Sequence, residues 1–322
     1  MQGSARPGAR RMVPTMAAPG RSGLRNWAEF APAWLALTAL AYLPLPWARW
    51  TAARVADALR LATPRWRRTA LRNLELAYPE SSTAWREQVM RGCYGNLGRV
   101  LLALARGPRL TSETIGDWIE YEGFEHYAAA IERGRGVLFL TAHLGNWELS
   151  VTAHALYGHP MRMLVRRLDN PLLDRLIERR RSIAGNRTID KQQAAREALR
   201  ALRANQAVGI LADQNAAGDD GVFCNFFGIP ARSTKSVALL AARTGAAIIP
   251  GFAFWNAQRG RYVLKFYAPV DVADSGDREA DLVENVQRCQ GAIEAAVREA
   301  PEQWLWIHRR FKSRPAGEEG LY

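Results

Sequence analysis

The chain has 322 residues, with 44 lysines and arginines against 31 aspartates and glutamates, a formal charge of +13 and a pI near 10.3. That length can bury a sizeable core without disulfide or metal support. The three cysteines, Cys93, Cys224 and Cys289, are dispersed and form no C-x-x-C pair, which argues against a disulfide framework or a zinc module and suits a cytosol-facing, reducing setting.

Residues 1–26, rich in Gly, Pro, Ala and Arg, read as a disordered basic N-terminus in which Met12 or Met16 could be the start. Phe30 to Trp47 is apolar and aromatic apart from Thr38 and three prolines. It is about the shortest stretch that crosses a hydrocarbon core roughly 30 Å thick. Its exit toward Trp47 and Trp50 lacks a small-residue cleavage site, so residues 27–50 are expected to form an uncleaved membrane anchor helix rather than a signal peptide. Arginines on both flanks leave its orientation open.

Residues 51–119 read as a helical lead-in, with apolar positions at helical spacing over 67–77 and 85–104. From about residue 120 to the end, short apolar runs alternate with helical segments. The runs are 137–141, 161–165, 208–212, 246–254 and 262–266. Such alternation predicts an α/β domain with a mainly parallel sheet.

The run Val137 to Leu140 delivers the segment Thr141-Ala142-His143-Leu144-Gly145-Asn146-Trp147-Glu148. It sets His143 at a strand end, the position beyond which ligands bind in open α/β sheets. A tight turn is expected to swing the Glu148 carboxylate back onto the imidazole and give an oriented base. Three later segments also fall at strand ends or loops. Val165 to Pro171 holds Arg166, Arg167 and Asn170 and leads into Arg179-Arg180-Arg181. Leu211 to Asn215 holds Asp213 and Gln214. The aromatic stretch Asn225 to Thr234 reads as a loop before a helix at 236–244.

These segments, with the C-terminal run Ala300 to Lys312 that holds Arg309 and Arg310, closely resemble the bacterial lipid A biosynthesis acyltransferases from about residue 27 to the end. The resemblance implies a glycerol-phosphate-acyltransferase-like α/β domain, one N-terminal membrane helix and a fatty acyl thioester donor, from acyl carrier protein or coenzyme A, with no metal or other cofactor. It maps catalytic roles onto His143, Glu148, Arg181 and Asp213, with Arg180 as the alternative to Arg181. The Gly-Asn-Trp-Glu form also resembles the broader lysophospholipid acyltransferases.

An alcohol attacks a thioester poorly until a base takes its proton, and neutral imidazole, with an ordinary pKa of roughly 6.5, suits that task. His143 is therefore the expected base and Glu148 the group that holds its tautomer. Arg181 or backbone amides are expected to meet the oxyanion, and Asp213 to position Arg181 or the acceptor. Expected substrate contacts are Asn146, Arg166, Arg167, Asn170, Gln214, Arg309 and Arg310. Phe223, Phe226 and Phe227 are either an acyl groove or ordinary core. The basic surface fits an anionic glycolipid acceptor and the lipid of a bacterial inner membrane, with the catalytic domain on the cytoplasmic side. A nucleic-acid binder lacks a recognised motif here; the remaining alternatives are a lysophospholipid O-acyltransferase and an inactive membrane-surface protein.

Overall fold

A computed structural model describes residues 22–190 and 194–322. Most of the basic N-terminus, with Met12 and Met16, lies outside the described residues. Four helices come first: α1 (Gly23–Tyr42), α2 (Leu45–Ala62), α3 (Pro64–Ala77) and α4 (Thr83–Arg106). The expected single anchor helix over 27–50 is therefore divided. Leu43 and Pro44 take extended conformations between α1 and α2, because the proline ring disfavours a helical residue before it. No helix among the described residues is long and apolar enough to cross a membrane. α1 instead buries Leu37 and Leu40 with Ala48 and Ala52 of α2 and Leu102 and Ala105 of α4.

The α/β domain follows as β1 (Ile119–Glu122), α5 (Phe124–Glu132), β2 (Val137–Thr141), α6 (Trp147–Leu156), β3 (Arg162–Val165), α7 (Pro171–Arg181), β4 (Arg187–Asp190), α8 (Ala194–Arg203) and β5 (Ala207–Leu211). It continues with β6 (Gly221–Phe226), β7 (Ile229–Thr234), α9 (Ser236–Thr244), β8 (Ala247–Asn256), β9 (Arg261–Phe266) and α10 (Arg278–Glu299). Seven strands form one sheet in the order β1-β9-β8-β2-β5-β3-β4. All neighbours pair in parallel except β8 with β9. Near-continuous apolar runs such as Val137–Leu140 fit strands covered on both faces. One face packs Leu138, Leu140, Val208 and Ile248 against α8, α9, α10 and the C-terminal segment. The other packs Phe139, Ile249 and Phe266 against α5 and α6.

The stretch 225–234, expected as a loop, is most of a β-hairpin, β6 with β7. Its two turn residues, Phe227 and Gly228, have φ of 54° and 76°. Positive φ at both centres is the two-residue turn that matches strand twist. The usual Asn-Gly or Asp-Gly signal for it is missing here, which hides the hairpin in the sequence.

Candidate active site

β2 and β5 are parallel neighbours in a register that pairs Thr141 with Leu211. Two residues beyond that last pair stand His143 and Asp213, so the register alone brings them side by side. Asp213 Oδ1 accepts from His143 Nδ1 at 2.9 Å, and Oδ2 accepts from the His143 amide and from Trp304 Nε1, each at 2.9 Å. Asp213 is buried, and burial alone would raise its pKa. The charge and hydrogen bonds of His143, with the Trp304 donor, outweigh that and hold the carboxyl down to about 2. An ionised carboxylate only accepts, so in the neutral imidazole Nδ1 carries the proton and Nε2 keeps its lone pair. The geometry thus gives an imidazole whose basic nitrogen is fixed by a carboxylate.

That carboxylate is not the one expected. Glu148, on the first turn of α6, turns away from the imidazole and forms a two-point ion pair with Arg181 from the last turn of α7, Nε to Oε2 at 3.0 Å and Nη2 to Oε1. The physical reason lies in the turn. Gly145 (φ 61°) lies so close to Ala253 O that a Cβ there would sit 1.9 Å from it, and Asn146 caps α6 through Leu149 N. The loop therefore leaves the strand axis before the helix begins. Burial opposes the Arg181 charge, but Glu148 outweighs it and the Arg181 pKa rises. Asp213 correspondingly holds His143 rather than Arg181. Arg180 makes no ion pair among the described residues, and burial lowers its pKa.

Glu148 and Arg181 line an apolar cleft of about 640 Å³, its open part included, between α6 and one face of the sheet. Alternate residues of five strands supply that face, among them Phe139, Thr141, Met163, Gly209, Leu211, Gly251 and Phe266. Gly209 and Gly251 are strand-interior glycines: a Cβ at Gly209 would meet Met161 Cε at 2.8 Å, whereas one at Gly251 would make only ordinary contacts. Trp147 also lines the cleft and packs edge-on against the His143 ring at 5.1 Å. The cleft thus begins beside the base. At its inner end His154 is buried beneath Tyr121, Tyr127 and Phe139, and burial lowers its pKa to about 3.

The remaining expected residues scatter. Arg310 is fully buried: it donates to Arg232 O and Gln290 Oε1 and lies over the Phe226 ring, so it braces the β6–β7 hairpin from within the core instead of facing the cleft. Asn170 is buried too. It caps α7 and donates to Asn26 O and Glu29 Oε2 of α1. Arg166 and Arg167 pair with Asp169 and with Asp174 and Asp190 on the surface. Gln214 stands 3.5 Å from His143 Nδ1, and Arg309 is exposed beside Tyr322. Phe226 and Phe227 pack on Trp304, Trp306 and Tyr78 across the sheet from the cleft, so the aromatic stretch is core and not groove.

Sequence reasoning missed Trp304. The C-terminal segment clamps the loop that carries His143, with Gly145 N bonded to Gln303 O and Leu305 N to His143 O. The concentration of tryptophans at 304 and 306 was the available signal.

The chain is similar to known proteins over most of its length. The family model described as bacterial lipid A biosynthesis acyltransferase matches residues 18–313. A lipid A biosynthesis palmitoleoyltransferase of Escherichia coli is 27% identical over 281 residues, 87% of this chain and 90% of that protein. A lipid A biosynthesis acyltransferase of Haemophilus influenzae is 28% identical over 248 residues, 76% of this chain and 77% of its own. The lipid A biosynthesis lauroyltransferase of E. coli is 27% identical over 252 residues, 78% and 80% of the two chains.

Proposed function

The chain belongs to the bacterial lipid A biosynthesis acyltransferase family and is therefore an acyltransferase, and from that premise we propose that it moves a fatty acyl chain from a thioester to a hydroxyl of a lipid A precursor with His143 as general base. The observation that carries this reading is the His143–Asp213 pair at the strand ends, opening beside an apolar cleft. The acyl chain lies in the cleft with its carbonyl near Trp147. His143 Nε2 takes the proton of the acceptor hydroxyl as its oxygen attacks, and Asp213 stabilises the imidazolium that forms. The C–S bond breaks as the tetrahedral intermediate collapses, and the leaving thiolate takes up the proton. Arg181, oriented by Glu148, faces the oxyanion. Thioesters of acyl carrier protein and of coenzyme A, each offered with a lipid A precursor or with a lysophospholipid, test the reading. Acylation of the precursor from the carrier-protein thioester is expected, and exclusive acylation of lysophospholipid would overturn it.

Acyl length in this reading depends on the cleft floor. A Cβ at Gly251 would meet the Phe139 and Phe266 rings at 3.8 and 3.6 Å, ordinary contacts, so a side chain fits there and takes space from the ligand. Gly251→Val is expected to shift donor preference toward shorter chains. Each methylene excluded costs about 0.8 kcal/mol, about fourfold in relative kcat/KM. A competition assay among thioesters of graded length reads the shift; an unchanged preference would remove the chain from this cleft.

The same proposal places the protein on the cytoplasmic face of the inner membrane. Among the described residues, ten of the thirteen well-exposed large apolar side chains lie between Leu24 and Trp66. They include Trp27, Trp34, Trp47 and Trp50, with Arg25, Arg49 and Arg54 between them. Tryptophan and arginine on partly apolar helices is the composition of an interfacial segment. Because α1 and α2 also close the core, point substitution is a cleaner test than truncation. Replacing Trp27, Trp34, Trp47 and Trp50 together by serine is expected to weaken binding to vesicles containing phosphatidylglycerol at least tenfold while thermal stability is kept. Undiminished binding would place the contact elsewhere.

A further inference from the structure

The His143–Asp213 pair and the cleft leave a second imidazole, that of His308, without a part. The loop that follows β5 holds both rings. Asp213 Oδ1 accepts from His143 Nδ1, and two residues on, Asn215 N donates to His308 Nε2 at 3.2 Å. Two residues reach at most about 7 Å, so both imidazoles stand at the carboxyl ends of the central strands, where α/β sheets take their ligands. A backbone N–H only donates, so Nε2 of His308 is the acceptor. Burial lowers the His308 pKa, which keeps the ring neutral near pH 7, and its proton therefore sits on Nδ1. That N–H has no partner among the described residues, yet it is not sealed in the core: the side chain is only half-buried, and Nδ1 keeps some exposure.

The segment that carries the ring is firmly held. Asn73 of α3, fully buried, donates to Trp306 O and to His308 O, each at 2.7 Å. Asn215 and Ser313 exchange two bonds of 3.1 Å, Asn215 Nδ2 to Ser313 Oγ and Ser313 N to Asn215 Oδ1. Along this segment Arg309 and Lys312 are exposed and make no ion pair among the described residues. Trp304, Trp306 and Phe311 pack on the sheet face opposite the one that lines the cleft. His143 thus stands at the edge of the sheet between the cleft and the segment of His308.

We infer that His308 is a binding residue for the acceptor: its Nδ1–H, with the charges of Arg309 and Lys312 around it, receives a phosphate group carried by the molecule whose hydroxyl reaches His143. A fixed N–H donor among cations without carboxylates suits an oxyanion, whose oxygens accept only. Arginine takes phosphate as a planar fork and lysine as a point charge. The tail of the donor lies in the cleft, so a phosphate on the other side of His143 belongs to the acceptor and not to the phosphopantetheine arm of the donor. In naming the acceptor the inference rests on the proposed function; the binding of a phosphate does not.

Two variants separate this role from a purely structural one. Glutamine can place Oε1 where His308 Nε2 stands and keep the Asn215 bond, but it lacks the Nδ1 donor; asparagine can place Nδ2 where Nδ1 stands, but it loses the Asn215 bond. The full chain in detergent is titrated with glucosamine 1-phosphate and with phosphopantetheine, binding is read from phosphorus NMR line broadening, and Tm is recorded for each protein. His308→Gln is expected to weaken binding of the sugar phosphate about tenfold with Tm unchanged, and His308→Asn to keep the affinity while Tm falls. Retained affinity in His308→Gln, or no binding by the wild type, refutes the site. If His308→Gln also lowers Tm, loss of affinity in His308→Asn as well leaves the ring a structural role only. A preference of about fivefold for the sugar phosphate over phosphopantetheine assigns the acceptor, and an equal or reversed preference overturns that assignment. No readout involves acyl transfer, so a failure of the proposed function and a failure of this inference are distinguishable.

Discussion

Replacing His143 by alanine is expected to lower acyl transfer about 10²–10⁴-fold, the usual contribution of a positioned general base, without unfolding the protein. Its side chain is partly exposed, and its amide rather than its ring makes one of the contacts to Asp213. Asp213→Asn is expected to be comparably damaging. An amide in that place can donate to Nδ1, which moves the ring proton to Nε2 and removes the lone pair that the acceptor needs. Asp213→Asn also separates the two carboxylates: if Glu148 held the tautomer, Asp213→Asn would be mild. Steady-state kinetics on both variants, with circular dichroism to check the fold, decide the point. Near-wild-type turnover by folded His143→Ala would sink the mechanism. Acid stability carries a second mark of the same carboxylate. Its folded pKa lies below the unfolded value of 3.8, so its contribution is present above about pH 4 and is lost as pH falls toward about 2.

Glu148 and Arg181 should behave as one unit. Arg181→Ala is expected to lower kcat about 100-fold with a smaller change in KM, because an oxyanion donor acts mainly in the transition state. Glu148→Ala leaves a guanidinium largely buried without its partner, which should reduce both turnover and stability. Breaking a buried pair costs about 3–5 kcal/mol, and the lower end applies here because the Arg181 side chain keeps 24% of its exposure. The double variant should be little worse than the poorer single variant, since neither residue works without the other. Fully additive losses in both kcat and unfolding free energy would show that the two act separately. Arg180→Ala, lacking an ion pair, should be the milder change.

Much of the sheet was legible from the chain. The five expected apolar runs coincide with β2, β3, β5, β8 and β9 to within two residues, and the helix expected over 236–244 is α9. Their covered faces leave continuous apolar runs, which periodicity detects. β1 and β4 are four-residue strands with charged members such as Glu120 and Arg187, and edge strands of that kind carry no such run. At the site, residue types were readable but their partnerships were not. Whether Glu148 or Asp213 meets His143 depends on β2 lying next to β5, a fact of strand order that lies 70 residues away in sequence. Arg310 misled for a related reason: a basic residue in a polar run reads as surface until the hairpin that buries it is known. The division of the expected single helix could not be read from composition, since Trp and Leu over 30–47 serve a helical hairpin that shares its apolar side chains between core and surroundings.

Gly251 gives the cleft a meaning beyond access. A side chain there would meet the Phe139 and Phe266 rings only at ordinary distances and would fill part of the space between α6 and the sheet. The folded chain is in that sense built around a missing piece of its own interior, and the hydrocarbon tail of the donor has the right chemistry to be that piece. If the proposed function holds, the domain with the tail bound has a more complete core than its own sequence provides, and it should resist unfolding accordingly. On the same proposal, release of the acylated product uncovers apolar surface again, so the next tail is drawn in by the same force that folds the protein. Turnover then becomes a cycle of completing and reopening a hydrophobic core, with the substrate as its exchangeable part.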